Sequence, residues 1–223
     1  IDKIQTLVIE ENVLMRRFGY ASLNIETAGY APGSAPSGGS EAAIPLARRG
    51  TLVELAKTIE PFEDPTMERP PKRARRRYAA RYAIAVGSVT VVASLVSRVA
   101  VTFPWYLPLA LLTVVPLAAD RKWRHRGWGL GDGYGFTRNG FWRRRIHVVP
   151  EYRLQTIIER QTIFQRRWRL GSVVMDTASS RGLTGGDATA IDVDADAAES
   201  LRESLRARLQ ESLVRRREDT ARD

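Results

Sequence analysis

The chain has 223 residues and a formal net charge of +10, a length that allows one or two domains, each with its own core. It contains no cysteine, and its histidines are His125 and His147. This composition excludes disulfides, thiol nucleophiles and metal sites built from thiolates or several histidines. The sequence contains no serine–histidine–aspartate order, carboxylate pair or phosphate-binding loop. We therefore expect a protein that is not an enzyme and that holds no cofactor and no metal.

Residues 1–60 have the pattern of the C-terminal part of a β domain. Runs rich in β-forming residues at 4–9 and 22–28 are followed by a loop rich in glycine, serine and proline. A helical pattern follows at 51–60, with its apolar residues on one face. Because the chain begins at Ile1, next to a strand-like run, we expect this domain to start upstream.

The next segment is apolar and predicts a transmembrane helical hairpin. Residues 61–77 form a linker that begins rich in proline and ends basic, and the apolar stretch 78–119 follows. Its first arm, 78–101, is long enough to cross the hydrocarbon core, whereas its second arm, 104–119, requires local thinning of the bilayer. Arg98 lies near the turn, where its long side chain can reach the far headgroups. The alternative is a hairpin buried between two soluble domains.

Basic and aromatic residues flank both arms, as expected at the two faces of a membrane. The turn between the arms has no base beyond Arg98, so the positive-inside rule predicts that both ends are cytoplasmic. The protein is therefore expected to be a multi-pass protein of the cell membrane. The predicted basic anchors are Lys72, Arg73, Arg75, Arg76, Arg77, Arg121, Lys122, Arg124 and Arg126. The predicted interfacial aromatics are Trp105, Tyr106, Trp123 and Trp128.

A second β domain is predicted after the hairpin. Residues 120–127 are a basic juxtamembrane segment, and 128–217 alternate strand-like runs with turns before a final amphipathic helix. Asn139-Gly140 between two such runs predicts a tight β-hairpin. Asp196 is expected to be the N-cap of the final helix, and 218–223 form a tail.

The first β segment recurs in the second at a constant offset of 150 residues. The identities are Gln5-Thr6 with Gln155-Thr156, Arg16-Arg17 with Arg166-Arg167, Ser22 with Ser172, and Thr27-Ala28 with Thr177-Ala178. Eight further positions between these identities agree in type, such as Leu7 with Ile157 and Ile25 with Met175, and the register holds without a gap. Repeats this far apart indicate duplicated domains, of which the first lacks its opening strands.

A set of short motifs carries a family resemblance. The motifs are Gly127-Trp128-Gly129-Leu130, Tyr134-Gly135-Phe136-Thr137-Arg138-Asn139-Gly140, Val148-Val149-Pro150, Leu154-Gln155-Thr156, Gln165-Arg166-Arg167 and Asp176-Thr177-Ala178. With them the chain resembles the C-terminal portion of prokaryotic pleckstrin-homology-like (PH-like) membrane proteins of the YdbS/YdbT kind. One departure is Arg169, which stands where the family usually has glycine, as at Gly19, and this puts a left-handed turn there in question.

The resemblance implies the fold class and the general role. The fold is then α+β, with a PH-like β-sandwich or partly open barrel capped by a C-terminal helix. A two-helix transmembrane hairpin and a partial second copy of the same fold complete it. The family has no assigned catalytic residues, and the resemblance points to a role in envelope homeostasis.

The positive charge is concentrated between residues 121 and 169, where thirteen basic and three acidic residues give a net charge of +10. In PH-like folds, basic residues on the first hairpin and the strands beside it meet anionic headgroups. Strand alternation predicts that Arg143 and Arg145 share a face, with Arg144 opposite. Solvated surface charge is the alternative. The candidates for lipid or partner binding are Arg138, Arg143, Arg144, Arg145 and Arg153.

Two further motifs are interpreted as structural. The sequence at 165–169 mixes arginine with tryptophan, but its recurrence at 15–19 favours a turn whose aromatic residue packs inward. Asp192, Asp194 and Asp196 have the spacing of a calcium loop, but Ala197 stands where such a loop needs glycine. Calcium is therefore not expected.

The sequence thus predicts a membrane-anchored, non-enzymatic PH-like binding or scaffold module at the cytoplasmic face of the membrane. Its expected contacts are anionic phospholipid headgroups, a membrane protein partner or a second copy of itself. The alternative is a nucleic-acid-binding protein that uses the basic stripe 121–169, and it is not favoured.

Overall fold

In the part of the chain that the computed structural model describes, residues 4–27, 40–99, 104–178 and 188–220, nine strands form two antiparallel sheets. The strands are β1 (Ile4–Asn12), β2 (Tyr20–Thr27), β3 (Ser40–Arg48), β4 (Gly127–Leu130), β5 (Tyr134–Asn139), β6 (Arg143–Pro150), β7 (Leu154–Arg160), β8 (Leu170–Thr177) and β9 (Ala188–Asp194). The helices are α1 (Val13–Phe18), α2 (Arg49–Ile59), α3 (Lys72–Val99), α4 (Val115–Arg124), α5 (Ile163–Arg167) and α6 (Ala195–Thr220), with 3-10 helices at Leu107–Thr113 and Glu151–Arg153. The predicted α+β class is confirmed.

The larger sheet joins strands from before and after the apolar segment. Its strand order is β3-β2-β1-β6-β5-β4, and the remaining strands form a second sheet in the order β7-β8-β9. β1 pairs antiparallel with β6, so that Leu7 lies opposite Val148 and Glu10 opposite Arg145. Three strands from the N-terminal segment and three strands from the residues after α4 therefore form one sheet.

Two hydrophobic cores lie against the two sheets. Leu7 and Leu23 from the N-terminal segment pack in one core with Phe136 from β5, so this core crosses the predicted boundaries at residues 60 and 128. The other core lies between β7, β8, β9 and α6, with Val173 and Leu205 fully buried. The N-terminal segment and the second β region thus share a core, and the predicted domain limits stay a prediction.

The segments 4–59 and 154–220 have the same order of elements and the same strand registers. Matching pairs are Leu7 with Ile25 and Ile157 with Met175, then Glu10 with Ser22 and Arg160 with Ser172. The β1–β2 and β7–β8 ladders also shift register at matching places, residues 4–6 and 154–156. The registers agree at the offset of 150 that the sequence displays.

Two turns decide how the strands continue. β5 and β6 form the predicted hairpin, but the tight turn expected at Asn139-Gly140 is wrong, because Asn139 pairs with Arg145 and the connection is longer than two residues. Gly140 has φ +92°, and an added Cβ there would lie 2.0 Å from the carbonyl oxygen of Arg143. Gly19 ends α1 in the left-handed region at φ +74°, and Arg169 at the matching position has φ +48°. The left-handed turn is therefore kept in the second segment although its residue has a side chain.

Several elements differ from the sequence-based expectation. The sequence did not predict α1 and α5, because five or six residues are too few to display a helical period, nor β3, which follows a low-complexity stretch. The expectation that Phe18 packs inward is wrong, since its side chain is 71% exposed, whereas Trp168 packs against a buried cluster. Asp196 lies in the first turn of α6 rather than at its N-cap.

The apolar segment folds as one long helix followed by two short ones. α3 begins at Lys72, so it includes the basic residues expected to precede it. The second predicted arm divides into the 3-10 helix Leu107–Thr113 and α4, each of which has a proline in its first turn, at Pro108 and Pro116. α3 packs against both. The predicted turn at 100–103 and the loop residues 28–39 and 179–187 lie outside the described residues.

Candidate membrane-contact surface

α3 exposes apolar side chains along its length. Among the described residues it is the one helix that is long and apolar enough to cross a membrane, judged by length and composition. Ile84 and Val91 on α3 are 62% and 61% exposed, and Leu111 and Leu117 on the facing arm are exposed to a similar extent. These exposures do not fit a hairpin buried between soluble domains. An apolar surface of this size indicates contact with lipid or with another protein.

A buried carboxylate ties the first turns of α3 to the smaller sheet. Asp192 in β9 is fully buried and adopts a left-handed backbone at φ +61°. It accepts hydrogen bonds from Arg77 and Tyr78 of α3, the tyrosine bond being 2.5 Å long. Arg126, which follows α4, donates to it at 2.9 Å, and Gln165 of α5 donates at 2.8 Å. One carboxylate thus joins both helices of the pair to the sheet.

Two more acidic residues form ion pairs with arginines that the sequence predicts to be membrane anchors. Arg73 forms an ion pair with Asp194 at the end of β9. Asp120 of α4 lies 3.2 Å from Arg75 and 2.6 Å from Arg124. Within the part of the chain described here, no ion pair is formed by four of the anchors. These are Lys72, Arg76, Arg121 and Lys122.

The three successive arginines of β6 are paired with the two glutamates that end β1. Arg143 and Arg145 lie 2.5 and 2.6 Å from the Glu10 carboxylate. Arg144 points to the opposite face, as alternation requires, and forms an ion pair with Glu11. The two cations at Glu10 lower the pKa of its carboxyl group against the opposing effect of burial. The positive charge of these three lipid-binding candidates is therefore partly neutralised by the two glutamates of β1.

The other two lipid candidates lie at opposite ends of β6. Arg138, at the end of β5, is half-buried beside Gly127, and neighbouring arginines, after burial itself, lower the pKa of its guanidinium. Arg153 follows the far end of β6 and stacks on the ring of Tyr152 at 5.0 Å. The structure therefore brings Arg138 near Arg144 and separates Arg153 from both.

One end of each sheet adjoins the helix pair. It is the end at which β1 finishes in the larger sheet and β7 in the smaller one, and we call it the helix-proximal end. At this end Arg16 of α1 lies 3.4 Å from Nδ1 of His125 and donates to the Phe141 carbonyl oxygen at 2.5 Å. His125 directly follows α4, and the carbonyl oxygen of Arg169 accepts a hydrogen bond from Arg73 of α3 at 3.1 Å. α1 is thus placed beside the last turn of α4 and α5 beside the first turn of α3, both at the sheet-side end of the helix pair.

Both of these short helices expose apolar side chains. Leu14 and Phe18 are 72% and 71% exposed, and Ile163 and Phe164 are 86% and 65% exposed. Trp142 in the β5–β6 turn, at the same end of the larger sheet, is 77% exposed. Apolar and aromatic side chains beside arginines suit the headgroup region of a bilayer.

The charge at this end is largely unbalanced. Burial, followed by the nearby charges of Arg16 and Arg144, lowers the pKa of His125. Arg17, Arg166 and Arg167 form no ion pair to the described residues, and both helices carry these bases in their last turns. The helix-proximal end is therefore a place where an anion lowers the electrostatic free energy.

The expected interfacial aromatics fall into two groups. Trp105 and Tyr106 lie at the opposite end of the helix pair, both exposed, with their rings edge to face at 6.2 Å. Trp123 is half-buried and donates its Nε1 to the carbonyl oxygen of Pro70 at 2.8 Å. Trp128 packs against the core of the smaller sheet. Trp105 and Tyr106 therefore have the exposure expected of an aromatic belt, and Trp128 belongs to the protein interior.

Comparison of the sequence with known proteins identifies its family. The family model described as "Bacterial PH domain" matches residues 1–62 and 79–209. The chain belongs to the bacterial PH domain family. This bacterial PH domain chain is also 28% identical over 185 residues, 80% of the chain, to the "UPF0699 transmembrane protein YdbT" of Bacillus subtilis (strain 168). It spans about a third (36%) of the length of that relative. No solved structure gives a significant match.

Within this bacterial PH domain chain, sequence reasoning missed most residues that hold the surface together. Asp192 carried a usable signal, because it is a charged residue between Ile191 and Val193 in a strand-like run, a pattern that indicates a buried ion pair. Glu10 and Glu11 carried none that could identify their arginine partners in β6, which lie more than 130 residues later in the chain.

Proposed function

We propose that the chain is a membrane-anchored, non-enzymatic PH-like module whose helix-proximal end rests on anionic lipid at the cytoplasmic face. The observation that carries this proposal is the placement of α1 and α5. Each exposes apolar side chains next to arginines, and each adjoins the sheet-side end of the apolar helix pair. We also infer that the segments 4–59 and 154–220 are copies, so the two short helices are equivalent contacts.

The charge of this end favours anionic over neutral lipid. Each lysine or arginine close to an anionic bilayer contributes about 1 kcal/mol to binding. Apolar side chains at the same level add free energy by leaving water. The bases of this end without an ion pair to the described residues include Arg16, Arg17, Arg138, Arg166 and Arg167.

The β1–β6 ladder supports a hairpin that crosses the membrane twice. β1 precedes the apolar segment and β6 follows it, yet the two strands pair side by side. An odd number of crossings between them puts the strands on opposite sides of the bilayer, where they cannot pair. The clusters of bases at the sheet side of α3 and α4 favour the cytoplasmic face for both.

Hydrogen exchange of the full chain in nanodiscs tests this function. We expect amides of α1 and α5 to exchange several-fold more slowly with phosphatidylglycerol present than in phosphatidylcholine alone. The double variant Leu14→Asp and Phe164→Asp should lose that protection, whereas Leu55→Asp, at an exposed position on α2, should keep it.

Equal exchange in the two lipids contradicts the proposal. So does protection by duplex DNA at equal salt that exceeds protection by the anionic lipid, since it identifies the basic stripe as a nucleic-acid surface. For topology, protease added outside intact cells should leave α6 uncut, and its digestion there overturns the cytoplasmic orientation.

A further inference from the structure

A pocket of about 480 Å³ lies between α3 and α4, next to the sheets. Its surface is mostly apolar and includes Ala79 of α3 with Pro116 and Ala119 of α4. Trp123 forms part of its wall and is fixed by the hydrogen bond to Pro70. The volume lies within the range of about 300–1,000 Å³ that is usual for small-ligand sites.

Basic side chains also line this interhelical pocket. They are Lys72, Arg75 and Arg76 of α3 and Arg124 of α4. Asp120 is the acidic residue of the lining, and it is already paired with Arg75 and Arg124. Lys72 and Arg76 are both exposed and form no ion pair to the described residues, so two cations remain available to a ligand.

The position of the pocket identifies the chemistry of its ligand. The apolar surface leads along α3 and α4 toward the exposed valines and leucines of the helix pair, a path suited to a hydrocarbon chain. The cations lie at the end of the helices where α3 begins and α4 finishes. A ligand with an anionic head and an apolar tail matches both features, and basic pockets between transmembrane helices bind such lipids.

We propose that this pocket binds one anionic phospholipid. Its phosphate lies between Lys72 and Arg76, and the start of an acyl chain lies over Ala79 and Ala119. The proposal rests on the proposed function only in that α3 lies in a bilayer. It differs from the helix-proximal contacts of α1 and α5, because it concerns a single lipid held between helices.

Fluorescence of Trp123 tests the site directly, because this residue lines the pocket. In full chains that keep Trp123 as the sole tryptophan, phosphatidylglycerol with brominated acyl chains should quench at least about threefold more strongly than brominated phosphatidylcholine at equal mole fraction. The variant pair Lys72→Gln and Arg76→Gln should abolish this preference. The matched pair Arg17→Gln and Arg166→Gln removes equal charge from the helix-proximal end and should preserve it.

A second measurement uses chains with every tryptophan in place. In native mass spectrometry one anionic phospholipid should stay bound to the parent chain and to the Arg17/Arg166 pair, and none to the Lys72/Arg76 pair. Equal quenching by both lipids overturns the pocket, and so does equal loss in both variant pairs. Failure of the exchange experiment on α1 and α5 leaves these readouts intact, so the two proposals fail separately.

Discussion

The segments 4–59 and 154–220 fold alike but are attached to the rest of the molecule in different ways. The first is joined through strand pairing, since β1 has β2 on one side and β6 on the other. The second contributes an edge strand, β7, whose partner among the described residues is β8. It is joined instead through a buried carboxylate, Asp192, that binds the helix pair.

The residues responsible for this difference stand at matching positions. Glu10 and Glu11 of the first segment, which bind the arginines of β6, correspond to Arg160 and Gln161 in the second. Asp192 of the second segment corresponds to Leu46 in the first, because Arg48 and Asp194 pair with matching residues of the preceding strand, Tyr20 and Leu170. A shared apolar pattern therefore gives the same local fold twice, and a few polar substitutions decide what each copy is attached to.

Removing the charge of Asp192 should have the largest effect on this comparison. Asn keeps the size of the side chain and tolerates the left-handed backbone, so Asp192→Asn leaves Arg77 and Arg126 buried without their counter-charge. We expect a loss of about 3 kcal/mol in the free energy of unfolding. Chemical denaturation in detergent measures it, with Asp194→Asn, at a more exposed ion pair, as the milder control. Equal small losses in both variants would show that Asp192 does not anchor the sheet.

A substitution at Glu11 should weaken the attachment of the first segment to β6. This carboxylate is 1% exposed and binds both Arg49 and Arg144, so Glu11→Gln should cost about 2 kcal/mol of stability. Hydrogen exchange should rise along β1 and β6 and stay unchanged in β8 and β9. The exposed Glu54→Gln is the control. Faster exchange in the second segment would mean that the two attachments are not independent.

The smallest effect concerns the turn that both segments share. Gly19→Arg places in the first segment the residue that the second has, and we expect it to destabilise by about 1 kcal/mol because a side chain disfavours the left-handed region. Arg169→Gly should stabilise by less than that, since glycine also loses more backbone entropy on folding. Denaturation midpoints of the two variants should move in opposite directions. Movement in the same direction would show that Arg169 contributes more through its side chain than its backbone costs.

Local features were predictable from the sequence, and long-range attachments were not. The presence of a hairpin near Asn139-Gly140, though not its length, and the opposite faces of Arg143 and Arg144 follow from turn chemistry and strand alternation, which involve neighbours in the chain. The pairing of β1 with β6 does not, because any exposed strand edge can accept another and nothing in the sequence selects this partner. The repeat at an offset of 150 favoured two separate domains, whereas the core that contains Leu7 and Phe136 spans both.

The β1–β6 ladder also sets an order of events during synthesis. About 130 residues separate the end of β1 from the start of β6, and both arms of the apolar segment lie between them. At the usual rates of translation the open edge of β1 therefore waits roughly ten seconds for its partner. An unpaired edge is prone to join other chains, and the sheet can close only after the helix pair has been synthesised. In the topology proposed above, membrane insertion is then a step in the folding of the larger sheet, and a delay in insertion would expose the nascent chain to aggregation.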